Sequence, residues 1–496
     1  MSTQDVNRRD FLKIAAGAGA ALALPSPAHA ASSSKMIGIQ VGAISFVDEG
    51  TEKVLDILQQ RACVNTLFLA VFTYGRGIAG RQIPGQPLPD HGKQEYDLNF
   101  HGGNFAMPHP EFYKNTVLKD TRAPDHGNLD ILAEVIPHAK KRGMKTICWL
   151  EDVFRKDLPN IEKLQERDLY GRNAETLCVN NPEYRNFLTG LVEDYARSYE
   201  IDGLMWGSER QGALCDSIGA THDVPPVDPG EVTCFCEFCQ AKARQRGINP
   251  ERARQGFLEL EKFVRASRAG TRPVDGYYGQ FWRLLLRYPE LAAWEMLWTE
   301  NLRETYAAIY KTVKSANPNI PVGWHIWHNN SFNPIYRAEQ DLHELSNYSD
   351  FIKVVMYNNC GGERMALYVD NIGSTVYRDL SHQVLLDFNY GVMDLKEGSY
   401  EQIPHTGLSP DYVSRETRRA LDGVAGTKTL IWPGIDIDIP TEPNNSKCTP
   451  QSVKAAVKAA FTAGAPGVLL SRKYSEMRLA NLSGAGDAIR ALGLAQ

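Results

Sequence analysis

Three cysteines stand close together in the stretch CFCEFC, at Cys234, Cys236 and Cys239. Disulfides among these three residues would close very small, strained rings, so the spacing does not predict a disulfide knot. Three thiolates at C-x-C-x-x-C spacing suit a tetrahedral zinc ion, which takes four protein ligands in a structural site. The pattern therefore predicts a structural zinc site. Cys215 is the nearest candidate for the fourth ligand, and the alternatives are Cys148, Cys178 and His222.

A second set of chemically capable residues follows the short apolar segments of the chain. Carboxylates, tryptophans, tyrosines, histidines and amides recur there. Aromatic faces suit the apolar faces of a sugar ring, and a pair of carboxylates flanking one bond is what glycoside hydrolysis requires. The catalytic candidates are Glu209 and Asp436. The candidates for substrate contacts are Glu151, Trp206, His325, His328, Tyr357, Asn358, Arg472 and Tyr474.

Glu209 is the preferred catalytic candidate among the carboxylates. A helix cap at this place would favour Asp, Ser or Asn, and Trp206 lies three residues earlier. Asp436 and Asp438 alternate in the stretch IDID, so in an extended segment they point to opposite sides. Asp436 is preferred as the second carboxylate because it lies nearer the predicted strand, and Glu151 is its competitor.

A long loop rich in glycine and proline follows the second apolar segment. The stretch HGGNFAMPHPEFY places His101, His109 and Tyr113 on that loop. Long loops of this kind are often functional lids. The alternative is a packed flap without substrate contact.

The elements that must position these residues are eight short β-branched or aromatic runs separated by helical patterns. This alternation predicts a (β/α)8 barrel with parallel strands buried on both faces, in which the chemistry lies on the loops that leave the strands. A doubly wound open sheet is the alternative, but no G-x-G-x-x-G follows the first strand. The predicted strands are 37–41, 66–72, 145–150, 201–206, 321–327, 351–357, 429–433 and 467–471.

The chain is longer than a barrel needs. A barrel takes about 250 residues, whereas this chain has 496. The excess is expected in two loop insertions, 73–127 after the second strand and 207–289 after the fourth, and the latter holds CFCEFC. The sequence predicts one barrel domain over residues 31–496.

The N-terminus has the layout of a twin-arginine signal peptide over residues 1–30. Arg8 and Arg9 precede a short Ala/Gly/Leu run that ends in Ala28-His29-Ala30, which predicts export to the periplasm or beyond. No later stretch approaches ~20 uninterrupted apolar residues, so no membrane span is expected. The net charge of −5 argues against nucleic acid as a partner. A homo-oligomer is compatible with the sequence.

The stretch IDGLMWGSER followed by CFCEFCQAKARQRGI resembles glycoside hydrolase family 42, the β-galactosidases. In that family a general acid/base glutamate ends strand 4 and a C-x-C-x-x-C zinc cluster follows. The stretch is also similar to twin-arginine-exported proteins described as glycosyl-hydrolase-like barrels. The resemblance implies a general acid/base role for Glu209. Ser208-Glu209 stands where family 42 has Asn-Glu, and strand 7 offers aspartates where that family has a glutamate nucleophile.

These features together predict an exported glycoside hydrolase acting on a carbohydrate, with Glu209 as general acid and Asp436 as nucleophile or base. A general acid must be protonated at the working pH, so we expect a raised pKa for Glu209. One alternative is a sugar isomerase or epimerase with a labile metal held by Glu151, Glu209, His325 and an aspartate of strand 7. The other is a carbohydrate-binding barrel without catalysis.

Overall fold

The barrel predicted from the sequence is present in the computed structural model, which describes residues 35–74, 79–152, 157–439 and 448–495. The predicted signal peptide lies outside these ranges. Each barrel strand pairs in parallel with its neighbours in chain order, and the first strand also pairs with the last, so the sheet closes. The barrel strands are β1 (Met36–Gly42), β2 (Thr66–Thr73), β3 (Lys145–Leu150), β4 (Gly203–Trp206), β5 (Val322–Ile326), β6 (Phe351–Val355), β7 (Leu430–Asp436) and β8 (Gly467–Ser471).

Most strand boundaries agree with the predicted ones to within two residues, and β7 differs most. The prediction ended this strand at Pro433, the last residue of the run TLIWP. In the structure, Gly434 to Asp436 continue to pair with β8. Asp436 is therefore the last residue of a strand and not a residue of the following loop.

Helices cover the outside of the barrel. Between β1 and β4 these are α1 (Ala43–Glu49), α2 (Thr51–Ala62), α3 (Ile131–Lys141) and α4 (Pro182–Ser198). Between β4 and β6 they are α5 (Ala213–Ile218), α6 (Glu237–Gln245), α7 (Pro250–Arg268), α8 (Gly276–Arg287), α9 (Glu290–Ala316), α10 (Pro334–Glu339) and α11 (Leu342–Leu345). After β6 they are α12 (Gly361–Gly373), α13 (His382–Met393), α14 (Ile403–Thr406), α15 (Pro410–Gly423), α16 (Pro450–Thr462) and α17 (Leu479–Ala491).

Local sequence signals explain where several of these helices begin. Asn181 caps α4 by accepting a hydrogen bond from the backbone N–H of Glu183, and Pro182 occupies the first helical position. Thr449 and Ser452 form a reciprocal capping box at the start of α16. No helix within the described ranges is long and apolar enough to cross a bilayer.

The segment between β6 and β7 is a third insertion that the sequence analysis did not recognise. It contains α12, α13 and α14 before α15, whereas only the helix 411–422 was predicted there. The segment after β3 carries a small antiparallel hairpin, Gln165–Arg167 with Asn173–Leu177. Both additions lie at the end of the barrel where the strands terminate, so they help to shape the loops there.

Strand alternation decides which side chains fill the barrel. Met205 of β4 belongs to the small cluster inside the barrel, so its neighbour Trp206 must point outward. Trp206 is 1% exposed and its ring packs edge-on against Tyr306 of α9, with centroids 5.3 Å apart. Inside the barrel, Phe351 and Trp432 stack at 4.1 Å. The interior below the strand ends is thus a packed aromatic floor.

Candidate active site and cysteine cluster

A cavity of about 490 Å³ lies at the carboxyl ends of the barrel strands. This is the end at which barrel enzymes carry their chemistry. Its wall combines indole rings with acidic, basic and amide side chains. The lining residues are Gln40, Trp149, Glu151, Asp152, Gly207, Glu209, His222, Asp223, Val224, His325, Trp327, Tyr357, Glu363, Arg364, Leu367 and Arg472.

Glu209 and His325 form a direct pair in this cavity. Nε2 of His325 lies 2.7 Å from Oε1 of Glu209. A carboxylate only accepts hydrogen bonds, so Nε2 carries the proton and donates it. Gly207 lets the two strand ends approach, because a Cβ there would lie 2.6 Å from the Cβ of His325. Burial and the charge of Lys353 lower the pKa of His325, which keeps its ring neutral.

The pKa of Glu209 is lowered, which is the opposite of what the sequence analysis expects. Removal from water raises it, but the hydrogen bond from His325 and the charges of Lys353 and Arg364 outweigh that effect and bring the pKa to about 2. The side chain is 59% exposed, and this contact with solvent also favours the charged form. Glu209 is therefore ionised at neutral pH.

Two other carboxyl groups line the cavity in different surroundings. Asp223 is exposed to solvent, yet partial removal of its carboxyl group from water raises its pKa. The hydrogen bond of 3.0 Å from the hydroxyl of Thr221 opposes this rise, and the negative charge of Glu209 adds to it. Glu151 follows β3 and accepts a hydrogen bond from the hydroxyl of Thr73. Asp223 is thus the cavity carboxyl group that these surroundings shift toward protonation.

Asp152 lines the cavity but is already engaged by the protein. It accepts hydrogen bonds from Ser208 at 2.6 Å, Tyr184 at 3.1 Å and Arg210 at 3.0 Å. Nη1 of Arg210 lies 3.2 Å from Glu166 as well. This network connects the loops that leave β3 and β4 and holds Glu209 beside it in place.

Lys353 of β6 was missed by the sequence analysis. Its side chain is fully buried, and Nζ donates hydrogen bonds to Oε1 of Gln40 at 3.1 Å and to the hydroxyl of Tyr357 at 2.9 Å. Burial lowers the pKa of Lys353 to about 7, although Glu209 and Glu151 favour its charged form. The available signal was a lysine in the middle of an otherwise apolar strand, which is rare unless its charge has a role.

Half of the predicted site residues line the cavity and the other half do not. Those in the cavity wall are Glu209, Glu151, His325, Tyr357 and Arg472. The wall does not include Asp436, Trp206, His328, Asn358 or Tyr474. The residues of the wall that sequence reasoning missed are Gln40, Trp149, Asp223, Trp327, Glu363 and Arg364, together with His222, which was proposed only as a zinc ligand.

Asp436 is 1% exposed and its carboxylate anchors the chain after β6. Its oxygens accept hydrogen bonds from the backbone N–H groups of Asn359 at 3.3 Å and Cys360 at 2.9 Å. Burial raises its pKa, and these backbone donors oppose the rise. Asp438 pairs with Arg478 at 2.6 Å. The predicted pairing of Glu209 with Asp436 therefore gains no support from the geometry.

The other predicted substrate-contact residues outside the cavity wall contact neighbouring protein groups. Trp206 faces the helices because Met205 faces the barrel. Tyr474 is buried against the ring of His91, with centroids 4.3 Å apart. The amide of Asn358 donates to the carbonyl of Leu408 at 3.4 Å. His328 is fully buried behind the wall, where it contacts Arg364.

The long loop after β2 has the features of a packed flap. His109 and Tyr113 both bind Asp194 of α4, at 2.7 Å and 3.0 Å. His101 binds Asp125 at 2.9 Å. None of these three side chains lines the cavity among the described residues.

Four cysteines form a compact, buried cluster beside the barrel. Their sulfur atoms all lie within 4.8 Å of one another. Cys236 precedes α6, Cys239 lies in its first turn, and Cys178 lies ahead of α4. The Sγ of Cys178 is 3.5 Å from the Sγ of both Cys236 and Cys239. With Cys234, these side chains offer the four soft sulfur ligands of a tetrahedral metal site.

The fourth cysteine of this cluster is Cys178, which the sequence analysis gave as an alternative, and not the preferred Cys215. Cys215 lies in α5 and its sulfur is grouped with the carboxylates of Glu295 and Glu339. The helix carries it against α9, away from the cluster. Cys148 lies in β3 and His222 in the cavity wall, so neither alternative belongs to the cluster either.

The comparisons with known proteins bear on export and on fold. Residues 5–25 match the TAT (twin-arginine translocation) pathway signal sequence. The protein therefore carries a signal for twin-arginine export, as predicted. No curated protein matches the chain.

Solved structures match over most of the chain. A β-galactosidase from the Antarctic haloarchaeon Halorubrum lacusprofundi shares 14% identity with a TM-score of 0.51, covering 93% of this chain and 58% of its own. An α-L-fucosidase isoenzyme 2 from Paenibacillus thiaminolyticus shares 12% identity with a TM-score of 0.48, covering 92% and 49%. The PgaB (BpsB) glycoside hydrolase domain from Bordetella bronchiseptica shares 13% with a TM-score of 0.47, covering 92% and 97%. The chain spans about half the length of the first two. At 14% identity, the likeness to the β-galactosidase shows the barrel fold alone.

Proposed function

We propose that this protein is an exported glycoside hydrolase that works by a two-carboxylate mechanism. The observation that carries the proposal is the environment of Glu209. This carboxylate is held by His325 and kept ionised in a cavity that contains further carboxyl groups. Two carboxyl groups whose surroundings shift their pKa values apart are what acid and base roles in glycoside hydrolysis require.

In this proposal Glu209 is the anionic partner and not the acid. It attacks the anomeric carbon as a nucleophile, or it takes the proton from a water molecule that does so. Asp223 is the preferred proton donor to the leaving-group oxygen, because it lines the cavity and its pKa is raised by partial removal from water and by the charge of Glu209. Glu151 is the second candidate for that role. The pairing with Asp436 is the least favoured, since backbone N–H groups hold its carboxylate.

The remainder of the cavity wall suits a sugar. Trp149 and Trp327 line the cavity, and indole rings pack well against the apolar faces of pyranose rings. Gln40 and Tyr357 also line it, and Lys353 fixes both from below. Since Nζ of Lys353 occupies the oxygen of Gln40, the amide N–H groups of Gln40 are left to donate to sugar hydroxyls.

The cysteine cluster is proposed to hold a structural zinc ion. Four thiolates from Cys178, Cys234, Cys236 and Cys239 fill a tetrahedral coordination sphere and leave no position for substrate. Zinc would supply no reaction chemistry there. It would connect the segment before α4 to the start of α6, and so brace the long insertion after β4.

The test is hydrolysis of a panel of aryl glycosides by single-residue variants. We expect Glu209→Gln to lose about 10²–10⁴-fold in kcat/KM, while Glu401→Gln, an exposed glutamate outside the cavity wall, stays at the wild-type value. Asp223→Asn should lose activity on phenyl glycosides and retain most of it on dinitrophenyl glycosides, whose leaving group needs no proton. Full activity of Glu209→Gln on every substrate would reject the assignment.

The same panel separates the alternatives. A carbohydrate-binding barrel would show stabilisation by sugar without product. A metal-dependent isomerase would convert a sugar without breaking a glycosidic bond and would lose activity on mild chelation. Among the described residues, the groups of three or more His, Cys, Asp or Glu side chains that lie close enough together to hold a metal ion do not include Glu209, Glu151 or His325. The hydrolase is therefore the better supported proposal.

A further inference from the structure

Arg364 of α12 has an unusual set of partners for an arginine in a cavity wall. Nη1 lies 3.1 Å from Nδ1 of His328, and the guanidinium lies over the ring of Tyr357, 5.7 Å from its centroid. Within the described part of the chain, no carboxylate oxygen lies within 4.0 Å of this guanidinium. An arginine has five N–H donors, and most of those of Arg364 therefore remain available to a ligand.

His328 fixes Arg364 without neutralising its charge. Its Nδ1 accepts from Arg364, so Nε2 carries the proton and donates to the hydroxyl of Tyr412 at 3.1 Å. Tyr412 in turn lies 2.7 Å from the hydroxyl of Ser331. His328 is fully buried, and burial together with the charge of Arg364 lowers its pKa well below the usual value. The chain of contacts therefore holds a cation in a defined orientation with neutral groups.

A second arginine of the same region is paired with carboxylates, as partly buried arginines usually are. Arg210 follows β4 and pairs with two carboxylates, Asp152 at 3.0 Å and Glu166 at 3.2 Å. Keeping a partly desolvated cation against a neutral histidine costs free energy that such pairs avoid. The charges of Glu209 and Asp223 act on Arg364 only from beyond ion-pair distance. The contrast indicates that a bound ligand supplies the remaining hydrogen-bond acceptors for Arg364.

We infer that the sugar bound in this cavity carries a carboxylate, as in a uronic acid, and that Arg364 binds it. The inference rests on the proposed function and adds the substrate class. A planar guanidinium pairs with a carboxylate through two parallel N–H···O bonds. A sulfate ester of a neutral sugar is the other anion that the fork could bind, and the test below includes it. The positive charge at Arg364 also offsets the repulsion between an acidic sugar and Glu209.

The test compares aryl glucuronide and galacturonide with the parent aryl glucoside and galactoside and with a 6-sulfated aryl galactoside. We expect the wild-type protein to prefer a uronide. We expect Arg364→Gln to raise KM for that uronide by about 10–100-fold, the worth of a charge-assisted contact. The effect on the neutral glycosides should be much smaller, because there Arg364 acts only through its charge on Glu209. Arg364→Lys should fall between, because it keeps the charge and loses the fork. Arg418→Gln, at an exposed arginine of α15, is the matched control.

Two outcomes would contradict the inference. A wild-type preference for neutral or sulfated sugars, or an equal loss on both classes in Arg364→Gln, would overturn the inference. An arginine that only balances the charge of Glu209 would produce that equal loss and shift the pH profile for both classes.

Calorimetric titration of the wild-type protein with free glucuronate, galacturonate and their neutral parents separates this inference from the proposed function. Uronate binding that Arg364→Gln abolishes supports the inference even if no glycoside is cleaved. Cleavage of neutral glycosides without uronate binding rejects the inference and leaves the hydrolase intact.

Discussion

The cysteine cluster beside the barrel and the cavity at the strand ends both bring polar or ionisable side chains together, but the two regions differ in how these side chains are paired. In the cluster each sulfur has other sulfur atoms within 4.8 Å, and all four cysteines are buried. In the cavity, Nδ1 of His325 and Nδ1 of His222 are buried without a protein hydrogen bond, and Arg364 lacks a carboxylate partner among the described residues. The cluster is complete within itself, whereas the cavity keeps unused hydrogen-bonding capacity.

This difference distinguishes a site whose polar groups are paired with one another, here called closed, from a site that keeps unpaired groups for a ligand, here called open. Unsatisfied buried polar groups cost free energy, so those in the wall of an open cavity are candidates for contact with a ligand. A buried cluster whose side chains contact only one another is instead expected to stabilise the fold.

The largest effect is expected from replacing one cysteine of the cluster. Cys178→Ser removes one of four soft ligands, so we expect loss of bound zinc and unfolding of the segments that it connects, with a fall of several kcal/mol in the free energy of unfolding. Elemental analysis and thermal denaturation measure both. Cys215→Ser is the matched control and should keep the zinc content of the wild type. Equal zinc loss in both variants would contradict the assignment of Cys178.

The next effect concerns the hydrogen bond that keeps Glu209 ionised. In His325→Leu the carboxylate loses a donor, so its pKa should rise and the acidic limb of the pH–rate profile should move to higher pH. We expect kcat/KM at neutral pH to fall by about 10–100-fold, the worth of a hydrogen bond to a charged group. An unchanged acidic limb in the pH profile of this variant would mean that His325 does not tune Glu209.

The two regions also differ in how far the sequence predicts them. Three of the cluster's four cysteines lie within six residues and were identified, but Cys178 lies 56 residues before Cys234. Proximity along the chain favoured Cys215 instead, and α5 carries that residue toward Glu295. A contiguous motif thus specifies most of this cluster, while its last cysteine depends on tertiary structure.

The cavity depends on tertiary structure almost throughout. The barrel placed Glu209, Glu151 and His325 correctly at one end because strand ends of parallel strands meet there. Arg364 escaped prediction because α12 belongs to an insertion without a distinctive composition. Lys353 escaped because it was counted as part of an apolar strand. Which face each residue takes follows from alternation only once the register is known.

A smaller effect is expected in the pH dependence of stability. The pKa of Lys353 falls from 10.5 to about 7 on folding, so between these values the unfolded chain binds more protons. The free energy of unfolding should therefore rise with pH across this window by about 1.4 kcal/mol per unit, and the cost of burying the charge is fully present below about pH 7. In Lys353→Met this contribution to the slope disappears. Denaturant titrations of both proteins at pH 7 and pH 9 measure the difference.

Parallel slopes in the two proteins would show that Lys353 keeps an ordinary pKa in the folded protein. Lys473, whose pKa burial lowers to about 8, is present in both proteins and cancels from the comparison.

The smallest effect separates a wall residue from a packing residue of the same type. Trp206→Phe alters a ring that packs against Tyr306 outside the barrel, so we expect a loss of about 1–2 kcal/mol in the free energy of unfolding and a change of less than about twofold in kcat/KM. Trp149→Phe alters a ring in the cavity wall and should raise KM for the sugar at a similar cost in stability. Equal kinetic effects of the two substitutions would mean that the outward orientation of Trp206 does not shield it from the substrate, and the division between the packed shell and the open cavity would fail at this strand.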